Sequence, residues 1–152
     1  MSPTQRLHIL SHLSEAELET LGTSWEIFAH PHQRPPELAP NGEPWLIWLM
    51  IGGRGAGKTR AGAEWIRAQA LGLPPFASEA VARIALVGET EHDVREVMIE
   101  GVSGLLAVHP RAQRPVWSPS RKRLEWSNGA VAYAFSAEDP ESLRGPQFGC
   151  AW

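Results

Sequence analysis

The sequence predicts an α/β domain, a mainly parallel sheet flanked by helices with a β-hairpin late in the chain. Apolar runs at residues 45–51 and 82–88 read as strands, and each is followed by helical periodicity. Residues 121–135, "RKRLEWSNGAVAYAF", alternate about Asn128-Gly129, a strong short-range hairpin signal. With 152 residues, 43% of them apolar, the chain can bury a core of ordinary size as one domain.

In "LSEAELETLG", Ser14 and Glu17 form a capping box, Leu18 and Leu21 give a short apolar face, and Gly22 suits the stop. Residues 31–44 carry five prolines, too many for the interior of a helix or sheet, so residues 1–44 read as a small helix and an extended approach segment. The run "WLIWLMI", residues 45–51, lies between Pro44 and Gly52 and predicts a strand buried on both faces, as in a parallel sheet. Residues 59–71 predict a helix with Arg60, Glu64 and Arg67 on one side and Gly62, Ile66 and Ala70 elsewhere, ended by Gly72.

A second unit repeats the plan. Residues 82–88 predict a strand, Thr90 caps a helix with Asp93 three residues on, and Val94, Val97, Met98 and Leu105 come at helical spacing until Ser103-Gly104. A two-residue type I′ turn at Asn128-Gly129 would pair Trp126 with Val131 and Leu124 with Tyr133, with Arg123, Glu125 and Ser127 on the opposite face. A polar loop, "SAEDPESLRGPQ", leads to "FGCAW", which opens another buried strand.

Composition excludes several classes. The net charge is −3, with twelve Arg but only Lys58 and Lys122, which does not advertise a nucleic-acid binder. Cys150 is the single cysteine, so neither an internal disulfide nor a cysteine-rich metal framework is available, and a buried, inert thiol in a reducing compartment is expected. The apolar patch within residues 1–10 is short, and no run approaches membrane-spanning length, so the chain reads as cytoplasmic.

Residues 52–59, "GGRGAGKT", satisfy the Walker A pattern between a predicted strand and a predicted helix. The residue types serve the chemistry. Glycines let successive backbone N–H groups turn inward on phosphate oxygens, and the helix beginning near Lys58 adds its positive end. Lys58 would reach the β- and γ-phosphates of ATP, and the Thr59 hydroxyl would ligate Mg²⁺. Such a loop predicts a P-loop NTPase without naming a reaction. Arg54 lies inside it, where it could touch the γ-phosphate or remain a solvated loop arginine.

Here "GGRGAGKTRAGAEW" resembles the large terminase subunits that drive double-stranded DNA into the capsids of tailed bacteriophages and gene transfer agents. "WEIFAHPHQRPP" is similar to the family's segment ahead of the loop, and "ESLRGPQFGCAW" to the one before its Walker B strand. The resemblance runs from about residue 25 to residue 152. It implies an N-terminal ATPase domain, assembled as a ring, and a C-terminal nuclease domain. It implies phosphate and Mg²⁺ contacts from Gly52, Gly53, Gly55, Ala56, Gly57, Lys58 and Thr59, with Arg54 as the loop arginine and Gln33 near the adenine. Arg144 becomes a candidate arginine finger for a neighbouring subunit. Portal protein and the small terminase subunit are the implied partners, met in the host cytoplasm and at the procapsid.

The sequence also departs from the family pattern. The Walker B aspartate and catalytic glutamate would come after "FGCAW", and neither they nor the nuclease domain is present in these 152 residues, so a partial ATPase domain over residues 45–152 is expected to bind ATP-Mg without efficient hydrolysis. A non-catalytic nucleotide-binding or interaction module, or an unrelated P-loop enzyme, remain as alternatives. Against a GTPase, no Asn-Lys-x-Asp motif is present. Arg121, Lys122 and Arg123 form the one basic cluster and read as a solvated hairpin edge or a DNA contact. His30 and His32 flank Pro31 without acidic or cysteine neighbours. Trp45, Trp48, Trp65 and Trp126 fit core positions rather than a base-stacking platform.

Overall fold

The computed structural model describes residues 2, 4, 8, 10–22 and 24–152. Most of the short apolar patch within residues 1–10 therefore lies outside the described residues. Helix α1 spans Glu15–Gly22, helix α2 spans Trp25–Phe28, and a 3-10 turn covers Pro31–Gln33. Helix α3 spans Lys58–Leu71, and helix α4 spans Leu105–Val108. The strands are β1 (Arg83–Gly88), β2 (Val116–Ser118), β3 (Arg123–Glu125), β4 (Val131–Ser136) and β5 (Cys150–Ala151). They form one mixed sheet in the order β2-β3-β4-β1-β5. β1 is parallel to β4 and β5, while β3 is antiparallel to β2 and β4.

Two expected caps form. The Ser14 hydroxyl accepts from Glu17 N–H at 3.3 Å, and the Glu17 carboxylate accepts from Ser14 N–H at 2.8 Å and from the Ser14 hydroxyl at 2.7 Å, two bonds that hold the Glu17 carboxyl below its ordinary value. Thr90 and Asp93 make the same reciprocal pair at 3.1 and 3.2 Å. Beyond Thr90 the chain departs from the regular helix expected. One turn at Glu91–Asp93 runs into a π-helical stretch, Val94–Ile99, marked by Glu100 N–H donating to Arg95 C=O. The wider turn sends Val94, Met98 and Ile99 into the core and leaves Val97 half exposed.

The core lies on the α3 side of the sheet. Ala63, Ile66 and Ala70 of α3 meet Ile84 and Leu86 of β1, Leu124 and Ala132 of the hairpin, and Val94, Ile99, Leu105 and Val108 from the connection. Each fully buried branched side chain contributes roughly 1.5–3 kcal/mol. The charged side of α3 is not a solvated face. Glu64 is only 3% exposed, held by Arg60 at 2.6 Å and Arg67 at 3.3 Å.

Two expectations fail for identifiable reasons. Residues 45–51 are not a strand: they make no backbone–backbone hydrogen bond with any described residue, and Leu46, Ile47, Leu49 and Ile51 are 75–97% exposed. Apolar composition gives a segment strand propensity, but a strand exists only as a member of a ladder. The hairpin register also differs by one. Leu124 pairs with Ala132 and Glu125 with Val131, so Leu124, Trp126, Ala130 and Ala132 are buried together, while Val131 and Tyr133 lie on the other face. Residues 127–129 form a three-residue loop in which Gly129 N–H donates to Trp126 C=O and Trp126 N–H to Ala130 C=O. A type I′ turn needs positive φ at both central residues, and only Gly129 (φ 90°) has it. Asn128 is engaged otherwise, donating to Ala70 C=O at the end of α3 and accepting from Ala130 N–H. The hairpin's outer side is covered as well, because β2 pairs with β3.

A buried polar pair joins the hairpin to α4. His109 is 2% exposed; its Nδ1–H donates to Leu105 C=O at 2.6 Å, and its Nε2 accepts from Trp126 Nε1–H at 2.9 Å. Both contacts require the neutral ring. Burial, with Arg67 and Arg114 nearby, pushes the imidazole down to about 4 against the opposing Leu105 hydrogen bond. An unfolded His titrates near its ordinary 6.5, so the unfolded state takes up this proton first. The contribution is complete above pH 6.5 and is lost as pH falls toward 4, on the order of 3 kcal/mol in all. Urea unfolding at pH 7 and pH 4.5 checks this: His109→Gln loses less stability between those two values than wild type, and equal losses would refute it.

β5 pairs with β1 on one side only, and residues 45–48 and 50 face it across an open slot, with Leu46, Ile47, Leu49 and Ile51 exposed to solvent. Such an edge and such side chains favour self-association. Leu49→Lys, which adds charge without touching the core, is expected to reduce light scattering and dye binding to exposed apolar surface while leaving the far-UV spectrum unchanged.

Candidate functional site

Residues 52–59 join the unpaired run to α3 as an exposed loop. Gly55 (φ 80°) and Gly57 (φ 76°) adopt left-handed backbone, and Gly57 is the N-cap of α3. Side chains other than glycine adopt that region at a cost, so the glycines are what permit the turn. Ala61 N–H donates to Gly57 C=O at 3.0 Å, so the N–H groups of Lys58, Thr59 and Arg60 precede the first intrahelical bond. With the helix dipole behind them they form an anion-attracting end. Lys58 Nζ donates to Gly52 C=O at 2.6 Å and Gly53 C=O at 3.0 Å, which closes the loop on itself. Thr59 is half-buried on the first turn of α3.

The approach segment is packed beneath the loop. Trp25 and Ala29 contact Ala61, with Trp48, Met50 and Phe76 around them, and the Arg60 guanidinium lies 5.6 Å over the Trp25 ring. This brings Gln33 to the loop, where its Nε2 donates to Ala56 C=O at 3.3 Å. Within the loop Gly52, Gly53, Arg54, Gly55, Ala56, Gly57, Lys58 and Thr59, Gln33 meets Ala56 and Gly57. Arg54 is exposed on the turn and, among the described residues, has no hydrogen bond or ion pair.

Arg144 comes directly after the 3-10 turn Pro140–Leu143 and is mostly exposed, paired with Glu141 at 2.8 Å on its own loop. An exposed pair of this kind contributes little to stability and leaves the guanidinium available. It does not line the cavity that Lys58 borders. That cavity, about 910 Å³, runs between residues 45–50 and residues 149–152 over Gly62, Trp65 and Gln69. Its lining is largely apolar and, among the described residues, includes no Asp or Glu.

Trp152 continues β5, with its N–H donating to Ala85 C=O at 2.9 Å and its C=O accepting from Val87 N–H at 2.7 Å. Its indole lies against Gly62, where an added Cβ would sit 2.1 Å from the ring. That contact was not legible in the sequence; a glycine inside a helix, which costs about 1 kcal/mol against alanine, was the available signal. Cys150 is half-buried, and burial pushes its thiol up to about 11, so little thiolate exists near neutral pH. The basic cluster is matched by acids: Arg121 and Arg123 meet Glu125, and Lys122 meets Glu91. His30 and His32 stack with ring centroids 5.5 Å apart, and among the described residues no group of three or more His, Cys, Asp or Glu could hold a metal ion. No helix among the described residues is long and apolar enough to cross a membrane.

Residues 49–152 match the family described as "Terminase large subunit, T4likevirus-type, N-terminal". No curated protein and no solved structure matches the chain. The match begins just before the glycine-rich loop, spans α3 and the whole sheet, and takes in more than half of the sequence; the chain belongs to the terminase large subunit N-terminal family.

Proposed function

We propose that this chain is the nucleotide-binding part of a P-loop motor that packages double-stranded DNA into phage or gene transfer agent capsids. The observation that carries the reading is the loop at residues 52–59: left-handed Gly55 and Gly57, the free N–H end of α3, and Lys58 held over the turn, within a terminase family match. In this reading Gly52, Gly53, Gly55, Ala56 and Gly57 wrap the β- and γ-phosphates of ATP. Lys58 exchanges its two loop carbonyls for phosphate oxygens, and Thr59 supplies a hydroxyl to Mg²⁺. Magnesium would neutralise phosphate charge when bound. Arg54 steadies the γ-phosphate from the loop. DNA, portal protein and the small terminase subunit are the partners the reading implies.

Hydrolysis needs a group to orient and deprotonate water. Among the described residues no Asp or Glu borders the cavity at Lys58, so the 152 residues are proposed to hold ATP-Mg without efficient turnover. Arg144, solvent-facing, is proposed to reach the pocket of a neighbouring subunit in a ring and offset charge on the transferring phosphoryl group.

Thermal unfolding of wild type and Lys58→Ala with increasing Mg-ATP tests the binding step. At a ligand concentration a hundredfold above Kd, wild type gains about 2.7 kcal/mol, read as a rise in Tm, and Lys58→Ala gains much less. No shift in either protein rejects the reading, and steady ATP consumption by the purified chain rejects the non-hydrolysing part of it. Arg144→Ala is expected to leave the Tm and ATP affinity of the isolated chain unchanged, while lowering ATPase by roughly 10³-fold or more in a ring whose subunits also carry a water-activating carboxylate.

A further inference from the structure

Residues 94–99 carry two apolar faces, one for each way of winding them. In the π-helical turn that the structure shows, positions i, i+4 and i+5 share a face, and Val94, Met98 and Ile99 are the buried set. An α-helical turn puts i, i+3 and i+4 together, which on this sequence is Val94, Val97 and Met98. Both sets are apolar throughout. Val94 and Met98 belong to each, so a change of register exchanges Ile99 for Val97 and alters the core by one methylene. A buried methylene changes a two-state ratio by about fourfold, which leaves the second register within reach of local interactions.

The charges around the turn discriminate between the two registers. Arg95 Nε donates to Glu100 Oε2 at 2.8 Å, with Glu96 farther off at 3.6 Å, and Glu100 N–H donates to Arg95 C=O at 2.8 Å. Both of the shorter contacts span five residues, the spacing of the π turn. In the α register Glu100 comes over Glu96 instead, two carboxylates at i, i+4, which is unfavourable. Arg95 then has Glu91, four residues before it, as its partner at α spacing. In the structure Glu91 is engaged elsewhere, by Lys122 of the hairpin edge. Lys122 is the one non-glycine residue with left-handed backbone among the described residues, at φ 47°, a conformation that costs energy for a side chain of its kind.

We propose that residues 94–99 are a two-register switch, π with Ile99 in the core and α with Val97 in its place. The hairpin edge sets the balance by holding Glu91 on Lys122, which leaves Arg95 to Glu100. The switch thereby links the charge of the hairpin edge to the packing of the core, and whatever draws Lys122 off Glu91 favours the α register. It is independent of nucleotide binding at residues 52–59.

Nuclear magnetic resonance on the full chain tests it. In wild type the scalar coupling across the hydrogen bond is expected between Glu100 N and Arg95 C′, with the Val97 and Ile99 methyls exchanging with a minor state on the μs–ms timescale. Exchanging the two side chains, Val97→Ile with Ile99→Val, keeps the composition and moves the methylene to the α set. It is expected to raise the α:π ratio about sixteenfold, the fourfold factor counted twice, and to transfer the Glu100 coupling to Glu96 C′. Persistence of the Arg95 coupling in the folded swap variant, with methyl lines free of exchange, overturns the proposal. Glu100→Gln and Lys122→Ala leave the core side chains untouched and decide the matter if the swap variant fails to fold. Their minor populations are expected to rise about threefold and about twofold, since exposed pairs weigh little. No rise in Glu100→Gln overturns the switch, and a rise there without one in Lys122→Ala overturns its control by the hairpin edge.

Discussion

Helix α3 can be approached closely on several sides because its contact points carry almost no side chain. Ala61 receives Trp25 and Ala29, Gly62 receives the Trp152 indole, and Ala63 and Ala70 lie with Ile66 against the sheet. Ridges of larger residues would hold neighbouring elements several ångströms farther away. With that spacing the approach segment reaches the loop, and β5 lies close enough for Trp152 to touch the helix one turn beyond Lys58. The position of the loop is therefore a packing consequence of α3 rather than a property of the glycine-rich residues alone.

The same helix holds a buried ionic group. Glu64 is enclosed and paired to Arg60 and Arg67, while Arg67 also reaches Gln113 at 3.1 Å, and its Nε is buried without a partner among the described residues. Taking these charges out of water is costly, and the pairing offsets that cost without turning it into a large gain. Arg60 also covers Trp25, so the ion pairs and the approach segment share one residue. Next to Arg67, His109 and Trp126 use neutral hydrogen bonds to close the space between α4 and the hairpin.

The open slot between residues 45–50 and β5 is the least satisfied part of the structure. One wall offers large apolar side chains without backbone partners among the described residues, the other a strand bonded on one side. The sheet beyond β1 is cohesive by comparison, since β1 and β4 share a continuous six-residue register. Stability is consequently uneven: the region from α3 to the hairpin holds the buried core, while the segment leading into the loop is supported by half-buried tryptophans, with the Trp45 ring tilted against those of Trp48 and Trp65 at centroid distances of 6.4 and 6.1 Å.

Local chemistry was determined by the sequence itself. The Ser14 and Thr90 caps, the stop at Gly72 and the glycine-rich turn into α3 each depend on residues within a few positions of one another, and each forms. The loop residues and their family resemblance were legible for the same reason. Only tertiary structure could decide matters in which the partner is remote. Residues 45–51 have the composition of a buried strand but no neighbour to bond among the described residues. The hairpin shifts by one because Asn128 is taken by Ala70 of α3 and because burying Leu124 with Ala132 suits the core. Glu64 is buried between Arg60 and Arg67 of its own helix, Arg60 lying in turn over Trp25 of the approach segment, and Gln33 meets Ala56 only because the packing of Trp25 and Ala29 on Ala61 carries it there. Hydrogen-bonding capacity and φ preference are written residue by residue, whereas pairing, register and burial depend on which surfaces the folded chain brings into contact.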